Sequence, residues 1–220
     1  MALPADLAYY YYPQYRWARR LCALLPPYLT DHDTQVVDAP CGDGVISYWL
    51  LRSGKFAHRF QLFDRSPESI AQVERFTAGH PAATAAACDI FTIPAAEPRR
   101  DVWLLVNSLY LLPEIDRLVA QMRPRFRVII GIFPHLDRPN IRYYIRRTGR
   151  DENINRMNVA ETVGFFARHG YRLEHREDQG FIAQFRWSGP GLRRLLNVLE
   201  PMAGKRQGNY WLGVFVRDGG

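Results

Sequence analysis

Two glycines and three aspartates stand at spacings that could build a ligand site. In Asp38-Ala39-Pro40-Cys41-Gly42-Asp43-Gly44, Gly42 and Gly44 can take backbone angles closed to other residues and let a ligand approach the main chain. A helix starting just after them would offer free backbone N–H groups, which attract a carboxylate or phosphate. Asp64 follows Gly44 by about twenty residues, where an acidic side chain can accept both hydroxyls of a ribose. Each feature alone has an ordinary structural explanation, since Gly-x-Gly occurs in many turns and a lone aspartate often caps a helix. Together they point to an adenosine-like ligand. A dinucleotide site usually carries a third glycine in register, which this chain lacks, and a P-loop needs Lys-Ser/Thr where Val45-Ile46 stand.

Hydrophobic periodicity shows the elements that must position these groups. Tyr15 to Leu25 reads as a helix closed by Pro26-Pro27, and Gln35 to Ala39 as a short buried strand ending at the glycine turn. Val45 to Leu51 reads as a helix and Phe60 to Phe63 as a strand. A helix with Ser66 at its start and Pro67 in its first position runs to about Phe76. Further strands are expected at Thr84–Cys88, Val102–Val106, Arg127–Ile132, Tyr171–His175 and Tyr210–Val216, and helices at Pro113–Met122 and Val159–His169, with Gly170 as a stop. Strands alternating with helices imply an α/β fold, and right-handed crossovers favour a doubly wound sheet. The ligand crevice of such sheets lies at the carboxyl ends of the strands. Asp38 to Gly44, Asp64, Asp89 and Asn107 each follow an expected strand, so they share one rim.

Val36-Val37-Asp38-Ala39-Pro40-Cys41-Gly42-Asp43-Gly44 resembles the first motif of class I S-adenosylmethionine-dependent methyltransferases, and the resemblance extends from about Gln35 to Val216. It implies a Rossmann-like sheet, mostly parallel with an antiparallel final strand, and S-adenosyl-L-methionine as cofactor, released as S-adenosyl-L-homocysteine. Asp38, Ala39, Pro40, Gly42 and Gly44 would face the methionine portion, and Asp64 the ribose hydroxyls, with Arg65 bordering the adenine. Asp89 and Ile90 look like the adenine-recognition pair, and Asn107 would border the sulfonium. Pro40 stands where the family usually carries its first glycine. It fixes φ and removes a donor, which leaves a non-catalytic, methyltransferase-like binding protein as one alternative.

Methyl transfer is a displacement at carbon that depends chiefly on alignment, so it requires a base only if the acceptor must lose a proton. His135 follows the fifth expected strand and could take such a proton; a surface-loop histidine is the plainer reading. Asn107-Ser108-Leu109-Tyr110 has the spacing of the Asn-Pro-Pro-Tyr signature of amino-nitrogen methyltransferases but lacks its prolines, so Tyr110 is expected to line the acceptor pocket. Cys41 lies in the cofactor turn and is not read as a nucleophile. Tyr9 to Tyr12 could cap the site, with Tyr11 toward the cofactor, or could simply pack as a terminal segment.

At 220 residues with 47% hydrophobic and 23% charged, the chain suits one domain. Residues 1–30 are expected to form a lid segment and 31–220 a methyltransferase domain, with a substrate-side insertion around 134–157. No apolar run approaches the roughly twenty residues of a membrane helix, and Met1 to Tyr12 lacks the order of a secretory signal. Cytoplasmic residence is therefore expected. The 3 cysteines suit neither a disulfide framework nor a zinc site. Asp31-His32-Asp33 reads as a turn, so no metal is expected. A net charge of +7, almost all from arginine, suits an anionic small acceptor or simply a soluble surface. Arg138, Arg142, Arg146, Arg147 and Arg150, interleaved with Tyr143 and Tyr144, also leave open an RNA- or protein-directed enzyme. A small aromatic or anionic acceptor is the favoured partner, in a biosynthetic setting; a homodimer is compatible with the sequence. A dinucleotide-dependent oxidoreductase is the most distant alternative.

Overall fold

The structure, a computed structural model, describes residues 12–29, 31–93, 101–138, 141–142, 155–179 and 208–219. In chain order its helices and strands are α1 (Tyr12–Leu24), β1 (Gln35–Asp38), α2 (Val45–Arg52), β2 (Arg59–Asp64), α3 (Pro67–Thr77), β3 (Ala83–Ala87), β4 (Asp101–Val106), α4 (Ile115–Met122), β5 (Phe126–Pro134), α5 (Val159–Arg168), β6 (Tyr171–Gln179) and β7 (Tyr210–Arg217). The strands form a seven-stranded sheet in the order β3-β2-β1-β4-β5-β7-β6. This is the expected doubly wound sheet, parallel over β1 to β4 and antiparallel between β6 and β7. Tyr9, Tyr10 and Tyr11 and the arginine–tyrosine cluster from Tyr143 to Arg150 lie outside the described residues.

Element ends differ from the expected ones for local reasons. The helix expected from Pro113 begins at Ile115, because Glu114 has φ of 45°, outside the helical region. The strand expected to stop at His175 runs on to Gln179, because β7 pairs with it as far as Tyr210, past an irregularity between Leu173 and His175. Ser66 does cap α3, accepting the Ser69 N–H at 3.1 Å, with Pro67 in the first turn.

The chain divides into two compact units, one from Met1–Leu105 with Leu118–Ile129, the other from Val106–Arg117 with Ile130–Gly220. In the first, Val36 and Val37 are fully buried, as adjacent β-branched residues in a central parallel strand should be. A buried ion pair fastens the amino-terminal ends of its strands. Arg125 Nε lies 2.9 Å from Asp101 Oδ2, its Nη2 donates to Gln61 Oε1 at 2.6 Å, and Asp101 Oδ1 accepts the Gln35 N–H at 3.0 Å. One carboxylate and one guanidinium thus join β1, β2 and β4. Trp103 stacks on Phe126 with ring centroids 5.4 Å apart.

The second unit is held by aromatic rings. Phe133 lies 4.7 Å from Trp211 and Phe166 lies 4.3 Å from Phe215, centroid to centroid. Glycines make the room. A Cβ on Gly131 would lie 2.0 Å from the Phe133 ring, and one on Gly213 would lie 2.6 Å from Trp211. α5 opens on a capping box, Asn158 with Glu161, and stops at Gly170, whose φ of 75° suits a glycine after a helix.

Removing one partner of a buried ion pair leaves an uncompensated charge, at a cost of roughly 3–5 kcal/mol. Arg125→Ala is therefore expected to lower the unfolding free energy by that amount in denaturant titration. A loss below about 1 kcal/mol would show that the pair behaves as a solvated one.

Candidate functional site

The glycine turn is built by bonds from the two strands that flank β1. Asp38 ends β1. Past it, the Ala39 carbonyl accepts the Trp103 indole N–H at 2.7 Å, and the Ala39–Pro40 peptide is cis. Cys41 N–H donates to the Phe63 carbonyl at 2.9 Å, and Gly42 N–H donates to Asp64 Oδ2 at 2.9 Å. The two glycines serve different ends. Gly44, at φ of 70°, has no room for a side chain, because a Cβ would lie 2.6 Å from Val73 of α3. Gly42, at φ of 54°, faces open space, which leaves its main chain approachable from outside the protein.

Asp38 is 1% exposed. Its Oδ2 accepts the Ser47 hydroxyl at 2.7 Å, while its buried Oδ1 has no hydrogen-bond partner among the described residues. Burial pushes its carboxyl up to about 7, with the charges of Asp43 and Asp64 acting in the same direction and the Ser47 bond against them. Burial, with the charges of Asp38 and Asp64, also pushes the Cys41 thiol well up. Cys41 therefore remains a thiol, consistent with the expectation that it is no nucleophile.

Asp64 and Asp89 both make local bonds. Asp64 Oδ1 accepts the Ser66 N–H at 3.0 Å, so each carboxylate oxygen takes one backbone donor and retains a second lone pair. Its carbonyl accepts Cys88 N–H at 2.9 Å, which leads the chain from the end of β3 toward Asp89. Asp89 is exposed and caps the 3-10 turn Ile90–Thr92 by accepting the Phe91 N–H at 2.9 Å. Arg65 is exposed and Ile90 half-buried. Asp38, Pro40, Gly42, Gly44, Asp64 and Asp89 thus stand at or just beyond the carboxyl ends of β1, β2 and β3 within the first unit.

The second unit carries the other candidates. Asn107, with φ of 52°, donates its N–H to the Ile132 carbonyl at 2.7 Å, and its buried Oδ1 has no hydrogen-bond partner among the described residues. Tyr110 is 5% exposed, within the 3-10 turn Leu109–Leu111. Asn155, unnoticed in the sequence, clamps that turn: its N–H donates to the Tyr110 carbonyl at 3.1 Å and its Nδ2 to the carbonyls of Leu109 and Leu112.

His135 is buried, contrary to the plainer surface-loop reading. Its N–H donates to the Asn209 carbonyl at 2.8 Å, and its Nε2 lies 3.4 Å from Asp178 Oδ1. Burial lowers its proton affinity, outweighing the opposing pull of Asp178 and Asp137. No sequence signal marks Asp178 or Asn209, because both reach His135 only through strand register. Asp31, His32 and Asp33 are exposed in a turn. Among the described residues no group of three His, Cys, Asp or Glu side chains could hold a metal.

No protein-family model and no curated protein matches the sequence. Solved structures match the fold. Magnesium protoporphyrin IX methyltransferase from Synechocystis PCC 6803, with bound SAH, has a TM-score of 0.64 at 13% identity, over 99% of this chain and 90% of that one. The complex of the Haloferax volcanii Trm112 methyltransferase activator with a methyltransferase gives 0.69 at 16%, over 93% and 90%. Geranyl diphosphate methyltransferase in complex with SAM gives 0.64 at 13%, over 92% and 85%. The chain has the class I Rossmann-like methyltransferase fold.

The state of Asp38 can be read from stability. Its folded pKa of about 7 lies above the ordinary 3.8, so the native state binds the extra proton between these values. Its contribution is then full below pH 3.8, declines as pH rises, and is lost above about pH 7. Asp38→Asn removes this dependence. Between pH 5 and pH 8, wild type should lose on the order of 2 kcal/mol more than the variant in denaturant titration. Parallel profiles would mean that Asp38 is ionised throughout.

Proposed function

We propose that this chain is a methyltransferase that uses S-adenosyl-L-methionine to methylate a small-molecule acceptor at oxygen, nitrogen or carbon. The observation that carries this reading is the charge at the glycine turn. Asp38, Asp43 and Asp64 crowd it, and the latter two raise the proton affinity of the first. A pyrophosphate would add negative charge to that group. A ligand with a sulfonium and an ammonium relieves it, and the orphaned Oδ1 of Asp38 and the open space over Gly42 suit such a ligand.

In this reading the backbone around Ala39, Pro40, Gly42 and Gly44 holds the homocysteine portion, with Asp38 answering its positive charge. The free lone pairs of Asp64 accept the ribose hydroxyls, Asp89 and Ile90 hold the adenine, and Arg65 borders it. Asn107 borders the reacting sulfur, and Tyr110 stands on the acceptor side. The bound cofactor supplies an electrophilic methyl group on a sulfonium. The chain's own work is alignment, and in this reading His135 accepts a proton where the acceptor must lose one. The low proton affinity of the buried imidazole keeps it neutral, and so able to accept, near neutral pH.

Two of the structural neighbours are named for small acceptors, magnesium protoporphyrin IX and geranyl diphosphate, which supports a small acceptor here. An RNA acceptor would instead show binding that weakens steeply with salt.

Calorimetry tests the cofactor. S-adenosyl-L-homocysteine should bind in the micromolar range or tighter, and NADH should not. Asp64→Ala should weaken S-adenosyl-L-homocysteine binding roughly 10- to 100-fold, the loss of one or two hydrogen bonds to a charged acceptor. Circular dichroism should report the fold unchanged. Unaltered affinity would remove Asp64 from the ribose, and NADH binding without S-adenosyl-L-homocysteine binding would overturn the cofactor.

A further inference from the structure

We propose that the last turns of α2 and α3 frame a second binding site, separate from the glycine turn, that takes a small aromatic carboxylate. The site lies wholly within the first unit and is independent of the cofactor reading. α2 leads from the carboxyl end of β1 to the amino end of β2, and α3 leads from β2 to β3 in the same sense. Both helices therefore finish at the amino-terminal ends of the strands, whereas the glycine turn stands at the carboxyl ends.

The two helices meet through side chains of increasing size. Gly44, just before α2, lies so near α3 that a Cβ on it would come within 2.6 Å of Val73. One turn further on, Tyr48 and Phe76 have ring centroids 5.4 Å apart. Tyr48 is buried, but Phe76 is only half-buried, and no residue of α3 beyond Val73 is buried. Past the two rings the interface opens into a cavity of about 210 Å³, lined by Tyr48, Leu51 and Arg52 from α2 and by Phe76, His80 and Pro81 among others. Pockets for drug-sized ligands run to roughly 300–1,000 Å³, so this one holds a single ring with a short substituent.

The polar groups of the cavity call for an anion. None of its lining residues is acidic. Arg52 Cζ lies 5.6 Å from the centre of the Tyr48 ring, and Nη1 donates to the Tyr48 hydroxyl at 3.3 Å. Nε and Nη2 have no hydrogen-bond partner among the described residues. A guanidinium already placed by a ring loses little freedom when it takes a carboxylate. His80 Nδ1 accepts the Ala82 N–H at 3.3 Å, so the neutral ring carries its proton on Nε2, a second donor. The surrounding sequence adds positive charge: residues 45–63 include Arg52, Lys55 and Arg59, residues 75–88 include Arg75, and neither stretch contains an aspartate or glutamate. Phe76, Leu51 and Pro81 offer apolar contact to a ring. One cationic fork, one imidazole donor and an apolar wall match a ring that bears a single carboxylate.

The test titrates benzoate and phenylacetate into the full chain, followed by NMR of the backbone amides, with acetate, inorganic phosphate and benzyl alcohol as controls. The two aromatic acids should bind in the millimolar range or tighter and shift the amides of Arg52 and of residues 76–82. The controls should bind roughly 10-fold more weakly, since each lacks the ring or the carboxylate. Arg52→Gln should weaken benzoate binding roughly 10-fold or more, the loss of a charge-assisted hydrogen bond, and His80→Gln should weaken it less. Arg52 is exposed and His80 half-buried, so the remaining amides should keep their positions in both variants, and either variant alone decides if the other fails to fold. Excess S-adenosyl-L-homocysteine should not displace benzoate. Equal binding of acetate or phosphate, shifts confined to the glycine turn, displacement by S-adenosyl-L-homocysteine, unaltered affinity in Arg52→Gln, or no binding at millimolar concentration each overturns the proposal.

Discussion

The hydrogen bond from the Gly42 amide to the Asp64 carboxylate, at 2.9 Å, fixes the distance between the first turn and the end of the second strand. The six-residue loop from Ala39 to Gly44 could close in many ways. This one is pinned at the Ala39 carbonyl by the Trp103 indole, at Cys41 by the Phe63 carbonyl, and at Gly42 by Asp64. Each of these partners sits on a strand neighbouring β1, so sheet register dictates loop shape. The indole that holds Ala39 is itself stacked on Phe126 and fully buried. Core packing and site geometry are therefore joined through one side chain, and the turn is organised before any ligand arrives.

The two ends of the same strands handle charge in opposite ways. At the amino-terminal ends, Asp101 and Arg125 neutralise one another and share backbone and amide partners. At the carboxyl ends, the carboxylates of Asp38 and Asp64 accept backbone N–H groups and a serine hydroxyl. The first arrangement is closed and structural. The second leaves Asp38 Oδ1 without a hydrogen-bond partner among the described residues, and perturbed groups of this kind cluster at ligand sites.

Much of this frame is legible in the sequence, because β1, its glycine turn and Asp64 are written in local patterns: adjacent valines, a Gly-x-Gly and an acid one strand later. The cap at Ser66 and the stop at Gly170 are local in the same sense. Groups that depend on register between distant strands leave no such trace. Asp178 reaches His135 through the pairing of β6 with β7 past an irregularity at Leu173 and His175, and no spacing encodes that. Ser47 and Asn155 are small polar residues in ordinary stretches, and only their partners make them informative. The helix expected at Pro113 starts late because Glu114 adopts a positive φ, a tertiary demand that propensity does not reveal.

Asp38 couples this framework to its surroundings in another way. A buried acid that exchanges its proton near pH 7 makes occupancy of the turn and proton release two faces of one equilibrium. A cation settling beside it draws out the proton, and a proton returning to it loosens the cation. Heat measured on binding would then contain the ionisation heat of whichever buffer takes that proton. The turn is thus a thermodynamic junction, where solution acidity and ligand concentration act on the same oxygen atoms.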